Sequence, residues 1–375
     1  MKALVLAGGF GTRLRPLCCT RSKMLFPVAT KPLLDWTLER LAESKTTEVV
    51  LAVNYMAEAF SQRYGQKAYG MKIHHSRDSY SAPKTITSFR GPLSTAGPIK
   101  RAERLIGREE PFLVLNGDIL TNINYAELMK EHKENRDATA TIALYKVEDP
   151  SRYGVAEMTT NNHIKRFVEK PPRGKAPSSL INAGIYVLDP EIFDYIPERK
   201  PVSIERQIFP KLAREGKLYG HEFHGLWIDI GEPADYLTAN RLLLDMQKKN
   251  AIGRDVVLER GAEIREPSVV GDEVSVGDKA KIGPHVSLGD HVNVGDGARI
   301  ENSIIFPGTM ISEYTTVKSA IVGEAVIIGK HVKIGEGCII GDHAVIRDNV
   351  TLMRDVTVCP SREVSESVLT PKCLM

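Results

Sequence analysis

Residues 270–290 read "VGDEVSVGDKAKIGPHVSLGD", in which an aliphatic residue returns at every sixth position and is followed by glycine. The same period runs through the last third of the chain, with a break in register between Phe306 and Val322. The apolar positions are Leu258, Ile264, Val270, Val276, Ile282, Leu288, Val294, Ile300 and Phe306, then Val322, Ile328, Ile334, Ile340, Ile346, Leu352 and Val358. This period is typical of a left-handed parallel β-helix, in which each repeat is one short strand and its turn. We interpret the break as a loop or a bend.

The chain before the repeats has a different pattern, in which short apolar runs alternate with amphipathic segments. This alternation is typical of an α/β domain with a Rossmann-like, mostly parallel sheet, and later hairpin-like segments make that sheet mixed. The predicted strands include 3–7, 48–53 and 111–115, and the predicted helices begin near Pro32 and Pro98. We therefore predict an α/β domain over residues 1–250 and a β-helix domain over residues 251–375.

The composition excludes several classes of protein. The 375 residues include 50 Lys and Arg against 47 Asp and Glu, and this balance argues against nucleic acid or a membrane surface as a partner. No apolar run approaches the ~20 residues of a membrane span, and "MKALVLAGG" does not resemble a signal peptide. The five cysteines have neither metal-site spacing nor the density of a disulfide framework. We expect a cytoplasmic protein with small-molecule substrates.

The stretch "LAGGFGTRLRPL" at 6–17 places three glycines directly after an apolar strand. Backbone N–H groups of such a loop can hold phosphates, and Arg13 and Lys23 would neutralise the phosphate charge. A dinucleotide-binding loop would need a third glycine where Leu14 stands, and the P-loop pattern is absent. The alternative is a plain tight turn.

Two carboxylates follow or end predicted strands. Asp118 lies in "FLVLNGDIL" and Asp229 in "LWIDIG". An aspartate after a strand is as often a turn or a helix cap as a ligand. Together with a phosphate loop, however, the pair suits Mg²⁺, which one or two carboxylates bind with substrate phosphates completing the shell. Ligands of open α/β sheets lie at the carboxyl ends of strands, where we expect both residues.

Taken together, "LAGGFGTRLRPL" and "SKMLFPVATKPLLDW" resemble the signature of the sugar-1-phosphate nucleotidyltransferases. The resemblance continues in order and covers nearly the whole chain, through "PLSTAGPIKRAE", "LVLNGDIL", "YGVAEM", "RFVEKPP", "INAGIYVLDPEIF", "SIERQIFPKLA" and "WIDIGEPADYLTAN". It implies that residues 1–250 are the catalytic domain of such an enzyme. The β-helix and the tail "REVSESVL" are most similar to the mannose-1-phosphate guanylyltransferases, which implies synthesis of GDP-mannose from GTP and mannose 1-phosphate.

The resemblance also implies a role for individual residues. Those expected to line the nucleotide are Leu6, Ala7, Gly8, Gly9 and Gly11, with Thr95, Ala96 and Gly97 near the base. Those expected to be catalytic are Arg13 and Lys23 on the triphosphate and the metal ligands Asp118 and Asp229. Those expected on the sugar phosphate are Gly154, Glu169 and Asn182 at the hydroxyls and Lys170 at the phosphate.

Two residues depart from the family pattern. Ser22 stands where a proline usually precedes the lysine, and Ser94 stands where a glycine usually precedes Thr-Ala-Gly. A side chain at position 94 could crowd the base pocket, so the choice of nucleotide is the more open inference.

Other functions stay open at this point. The same chemistry could use UTP or dTTP with glucose 1-phosphate or N-acetylglucosamine 1-phosphate. Hexapeptide folds also host acyltransferases with a histidine base, for which the candidates are His285, His291, His331 and His343. A silent nucleotide-sugar-binding regulatory subunit is a third possibility, against which the retained Arg13, Lys23, Asp118 and Asp229 argue. We expect the β-helix to assemble a homo-oligomer and to contribute no chemistry.

Overall fold

The computed structural model describes residues 1–54, 56–77, 94–198, 200–247 and 249–374. They form two compact units. The first consists of Met1–Gly9 and Leu34–Ile228, and the second of Phe10–Leu33 and Asp229–Met375. The predicted division at residue 250 follows the change of sequence pattern and stays a prediction. The segment Phe10–Leu33, which follows the first strand, belongs to the same unit as the β-helix.

A mixed sheet forms the first unit. Its main path runs Ile164–Glu169, Gly154–Met158, Leu180–Leu188, Phe112–Asn116, Lys2–Leu6, Glu48–Val53, Met71–Arg77 and Lys67–Ala68. Ala140–Lys146 pairs with Leu180–Leu188 and with Leu218–Glu222, while Ile119–Thr121 and Trp227–Asp229 pair separately. Lys2–Leu6 lies between two parallel neighbours, so it is apolar along its length, as a strand covered on both faces must be.

Helices accompany this sheet where the sequence is amphipathic. They are Leu33–Glu43, Ala57–Tyr64, Ala96–Ile106, Tyr125–Glu134, Ile192–Tyr195 and Phe209–Arg214, the last preceded by a π-helical turn at Ile204–Ile208. A short 3₁₀ turn, Pro150–Arg152, precedes the antiparallel strands Gly154–Met158 and Ile164–Glu169. The predicted α/β fold with a mixed sheet is confirmed.

The second unit is built on a parallel β-helix with three sheets. The eight-stranded sheet contains Ala251–Ile252, Ser268–Val270, Val286–Leu288, Ile304–Ile305, Ile321–Val322, Ile339–Ile340, Thr357–Val358 and Cys373–Leu374. The seven-stranded sheet contains Val257–Leu258, Ser275–Val276, Asn293–Val294, Met310–Ile311, Ile327–Ile328, Val345–Ile346 and Glu363–Val364. The six-stranded sheet contains Glu263–Ile264, Lys281–Ile282, Arg299–Glu301, Thr316–Lys318, Lys333–Ile334 and Thr351–Leu352. The hexapeptide interpretation is therefore confirmed.

The rest of the second unit is one long helix and the segment before residue 34. The helix is Pro233–Gln247. The segment contains the 3₁₀ turns Thr12–Leu14, Leu17–Cys19 and Lys23–Leu25 and the small hairpin of Pro27–Val28 with Lys31–Pro32. Over the described parts of the chain, no helix has both the length and the apolar character needed to cross a membrane.

The register break is not a loop or a bend, and that expectation is wrong. Ile300 pairs in parallel with Val317 and Val317 with Ile334, each 17 positions on instead of 18, so the ladder continues through the break with two successive coils each a residue shorter. Ile305, not Phe306, is the inward residue at this point, and Phe306 is buried outside the β-helix core. Leu258 also departs from the expected pattern, because it lies in the first coil and is 45% exposed.

Candidate active site

The glycine-rich stretch makes a sharp turn where the chain leaves the first strand. Gly8 is partly exposed and Gly9 is exposed, and a Cβ on Gly9 would have no atom within 4 Å, so open space adjoins its backbone. Gly11 has a φ of +59°, the left-handed conformation that favours glycine. Leu14, which replaces the third glycine of a dinucleotide loop, is fully buried and donates its N–H to the carbonyl of Gly11. Leu14 therefore anchors the turn.

Lys23 packs against this turn. A Cβ on Gly11 would lie 3.4 Å from Lys23 Cβ, and Lys23 is only 7% exposed. Ser22 before it has a φ of −68° and a ψ of 140°, the backbone that a proline would impose. The replacement of proline by Ser22 therefore leaves the approach to Lys23 unchanged.

Arg13 is the exposed cation of the same segment. Its Nη1 lies 3.3 Å from Glu232 Oε1, with the two side chains 59% and 45% exposed. An exposed ion pair of this kind contributes little, roughly 0–1 kcal/mol. Gly231 allows close approach, since a Cβ there would be 3.2 Å from Arg13 Nη2. A phosphate can therefore compete for this guanidinium at small cost.

The two predicted metal ligands lie next to strands. Asp118 follows Phe112–Asn116 and directly precedes Ile119–Thr121, while Asp229 is the last residue of Trp227–Asp229. Those two short strands pair with each other. Both carboxylates are half-buried. Both therefore lie beside strand ends, and their role as metal ligands stays a prediction.

Gly154 and Glu169 face each other in the antiparallel pair of the first unit. A Cβ on Gly154 would lie 2.8 Å from Glu169 Oε2 and 2.5 Å from Phe167 Cζ. Glycine is therefore required for the carboxylate of Glu169 to lie over this strand. Lys170 follows with a positive φ of 48°, and its N–H donates to the carbonyl of Tyr153 at 2.9 Å.

Asn182 is held in one orientation. Its Oδ1 accepts the N–H of Gly184 at 2.9 Å, and its Nδ2 donates to the hydroxyl of Tyr186 at 3.0 Å. The second amide hydrogen and the second lone pair of Oδ1 are not used by these two bonds. Asn182 can thus present a fixed donor and acceptor to a sugar hydroxyl.

Carboxylates gather around the buried Tyr186. Burial raises the pKa of Tyr186 well above its ordinary value, and the nearby charges of Glu205, Glu169 and Asp118 raise it further. The pKa of Glu169 is also raised, first by burial and then by the charge of Glu205, with Lys170 opposing the shift. The first unit therefore concentrates negative charge where Lys170 supplies a cation.

Glu205 contacts one of the predicted site residues, Thr95, and is not among the residues that the sequence singles out. Its Oε2 accepts hydrogen bonds from Thr95 Oγ1 and from Ser203 Oγ, both at 2.6 Å, and Thr95 Oγ1 also accepts the N–H of Ile204. The Thr95 hydroxyl thus donates one hydrogen bond and accepts another within the protein. Glu205 lies in "SIERQIF", where no spacing distinguishes it from a surface glutamate.

Ser94 occupies a backbone conformation that explains the usual glycine. Its φ is 60°, in the left-handed region that non-glycine residues rarely adopt, and its side chain is exposed. Ala96 and Gly97 after it are buried in the first turn of helix Ala96–Ile106.

An aromatic cluster in the first unit was also missed. Trp227 stacks on Tyr145 with ring centroids 5.4 Å apart, and Tyr153 meets it edge-on at 5.5 Å. The indole N–H of Trp227 donates to the carbonyl of Ala183 at 2.9 Å. The cluster therefore adjoins both Asn182 and Gly154 in the chain. Three aromatic residues so far apart in sequence give no pattern to detect.

The four histidines proposed as acyltransferase bases lie in left-handed turns of the β-helix. His285 Nε2 is 2.7 Å from Asp245 Oδ1, and His291 Nδ1 is 3.3 Å from Glu273 Oε2. His331 stacks on Tyr314, and His343 is exposed. These are local contacts of turn residues, and the comparisons below favour nucleotidyl transfer.

Two family models match most of the chain. Residues 2–246 match the family model described as nucleotidyl transferase, and residues 264–374 match the model described as GMPPB C-terminal domain. A protein of Oryza sativa subsp. japonica named "Probable mannose-1-phosphate guanylyltransferase 3" is 39% identical over 287 residues, which cover 73% of this chain and 76% of that protein. A Yarrowia lipolytica protein named "Mannose-1-phosphate guanyltransferase" is 40% identical over 280 residues, covering 73% and 71%.

A solved structure shares the fold. A Bacillus anthracis crystal structure named as a glucose-1-phosphate thymidylyltransferase superimposes with a TM-score of 0.55 and 27% identity. The match covers 64% of this chain and 94% of the other.

Proposed function

Because the chain belongs to the nucleotidyl transferase family, we propose that it transfers the guanylyl group of GTP to mannose 1-phosphate, forming GDP-mannose and pyrophosphate. The observation that carries the reaction class is the packing of Lys23 against the left-handed turn at Gly11. The names of the relatives that match most of the chain support the choice of base and sugar.

The reaction needs cations more than it needs a nucleophilic side chain. A phosphate oxygen of mannose 1-phosphate forms the new bond to the α-phosphorus of GTP, and the bond from that phosphorus to the bridging oxygen breaks as pyrophosphate leaves. Both reactants are anions, so positive groups must let them approach and must stabilise the charge of the transition state. We assign this work to Lys23 and Arg13.

The nucleotide would lie along the backbone after the first strand. We assign it to Leu6, Ala7, Gly8, Gly9 and Gly11, with Thr95, Ala96 and Gly97 near the base. The open space beside Gly9 supports this assignment, since phosphate oxygens can approach the backbone there.

The sugar phosphate would lie beside the facing strands of the first unit. We assign its hydroxyls to Gly154, Glu169 and Asn182, and its phosphate to Lys170. The fixed amide of Asn182 supports the assignment, as does Gly154, whose missing side chain lets the carboxylate of Glu169 lie over this strand.

We propose Asp118 and Asp229 as ligands of a divalent cation, Mg²⁺. Their oxygens are the ligands that this ion prefers, and two carboxylates suffice because substrate phosphates and water complete its shell. When bound, the ion would neutralise charge on the phosphate oxygens.

We also propose a cytoplasmic homo-oligomer. All five cysteines are free thiols, which is typical of a reducing compartment. The first coil of the β-helix exposes Ile252, Val257 and Leu258, each 45–58% exposed, and apolar clusters of this kind often mark contacts between subunits.

A panel of four nucleoside triphosphates against mannose, glucose and N-acetylglucosamine 1-phosphates tests the proposal by pyrophosphate release. We expect the highest kcat/KM with GTP and mannose 1-phosphate. Preference for UTP or dTTP with glucose 1-phosphate would overturn the specificity and keep the class. Absence of turnover with every pair would overturn the class.

A further inference from the structure

The β-helix holds the segment that carries Arg13 and Lys23. Thr20 Oγ1 donates to Asp342 Oδ2 at 2.6 Å, and Arg21 Nη2 donates to the same oxygen at 3.1 Å. Arg21 also pairs with Glu324. Asp342 is 2% exposed, so its charge is buried and depends on these partners.

Asp342 differs from similar aspartates of the β-helix. All these aspartates, Asp342 included, accept on Oδ1 the backbone N–H of the residue 18 positions earlier. Asp348 accepts it from Lys330, and Asp342 accepts it from Glu324. Asp290 and Asp296 make the same bond. Asp290, Asp296 and Asp348 are exposed. The ladder bond therefore accounts for one oxygen of Asp342, and the buried second oxygen is accounted for by Thr20 and Arg21.

Other contacts fix the segment on both sides of Lys23. The guanidinium of Arg21 lies 5.0 Å from the ring centroid of Phe306, and the ring of Phe26 lies 5.9 Å from that ring. Asn240 Oδ1 accepts the N–H of Ala29 at 2.9 Å and the hydroxyl of Ser287 at 2.8 Å. Only one residue separates Arg21 from Lys23, so an anchor at Arg21 limits the positions that Lys23 can take.

We propose that Asp342, acting through Arg21, is a positioning residue that sets the place of Lys23 for catalysis. The inference rests on the proposed function, because it assigns Lys23 to the phosphates. It adds to the expectation that the β-helix assembles subunits and contributes no chemistry: the β-helix also holds the segment that carries Lys23.

The test compares Asp342→Asn with Asp348→Asn. Both variants keep an oxygen that can accept the ladder N–H, and both lose one carboxylate charge, but only the first removes the charge that Arg21 contacts. We expect Asp342→Asn to lower kcat by about 10- to 100-fold, as displacement of a catalytic group by up to an ångström does. KM for GTP should change less than kcat. Asp348→Asn should stay within about twofold of the wild-type kcat, in line with an exposed substitution.

A double-mutant cycle separates positioning from general destabilisation. Arg21→Ala and Asp342→Asn should each lower kcat, and the double variant should lose no more than the worse single variant, because the two residues act as one unit. Losses that multiply would contradict the proposal. If Asp342→Asn does not fold, Arg21→Lys, which keeps the charge and loses the planar fork, should still lower kcat; an unchanged kcat would then overturn the proposal.

The activity of the wild-type protein distinguishes failure of the proposed function from failure of the positioning role. Wild-type protein that turns over no GTP and mannose 1-phosphate would overturn the assigned reaction, and with it the basis of this inference. Active wild-type protein whose Asp342→Asn and Asp348→Asn variants have the same kcat would overturn the positioning role alone.

Discussion

Replacing Gly11 by alanine should cost both stability and activity. The residue has a φ of +59°, where an L side chain costs roughly 1–2 kcal/mol. The added Cβ would also lie 3.4 Å from Lys23 Cβ, at the short limit of ordinary van der Waals contact, so any readjustment of the strained turn displaces Lys23. We expect the free energy of unfolding to fall by about 1–2 kcal/mol and kcat to fall by about tenfold.

Gly308→Ala is the matched control in the same unit. Gly308 has a φ of +70°, but a Cβ there would find its nearest atom at 3.9 Å, so the variant has the backbone strain without the crowding. Urea unfolding and pyrophosphate release on both variants give the comparison. Similar stability losses with a lower kcat in Gly11→Ala alone are expected. Equal kcat values in the two variants would refute the argument that the Gly11 turn places Lys23.

Three further predictions follow from particular residues. Lys23→Ala should lower kcat by about 10²–10³-fold, a far larger effect than its effect on folding, and a variant that keeps more than about a third of the rate would contradict the role of Lys23. A chain that ends at Asn250 lacks Ser287, Phe306 and Asp342, so we expect it to lose most of its turnover and its oligomeric state. Pyrophosphate release measures the turnover, and light scattering measures the oligomeric state. A monomeric full chain or a fully active truncated chain would contradict this prediction. Burial lowers the pKa of His132 from 6.5 to about 4. As the pH falls, His132 therefore becomes protonated near pH 6.5 in the unfolded chain but only near pH 4 in the folded chain. This contribution to stability is fully present above pH 6.5 and falls by about 3 kcal/mol by pH 4, so urea unfolding should show the wild type losing about 3 kcal/mol more than His132→Gln over this range.

The sequence predicted the β-helix because the inward positions follow from local spacing alone. Val276 and Ile282 are fully buried in its core for that reason. Spacing could not distinguish two coils that are each shortened by one residue from a loop, so the interpretation of the break near Phe306 is wrong. Nor could it show that Leu258 lies in the first coil and stays exposed.

The contacts that hold the catalytic segment could not be predicted. Thr20 and Asp342 are 322 positions apart, and Asp342 has the same place in its repeat as the exposed Asp348. Ser22 and Ser94 depart from the family pattern, and the sequence alone does not show what either departure changes. The backbone angles show it: Ser22 has a φ that proline would have, and Ser94 has a φ that favours glycine. Glu205 needed the fold, because its partner Thr95 is 110 positions away.

The fate of each phosphorus atom of GTP tests the central claim most directly. Protein incubated with mannose 1-phosphate and GTP labelled at the α-phosphorus should place the label in GDP-mannose, whereas label at the γ-phosphorus should appear only in pyrophosphate. Nucleotidyl transfer requires both results. Transfer of the γ-label to the sugar, or recovery of the α-label as free GDP, would show phosphoryl transfer or hydrolysis and would contradict the account.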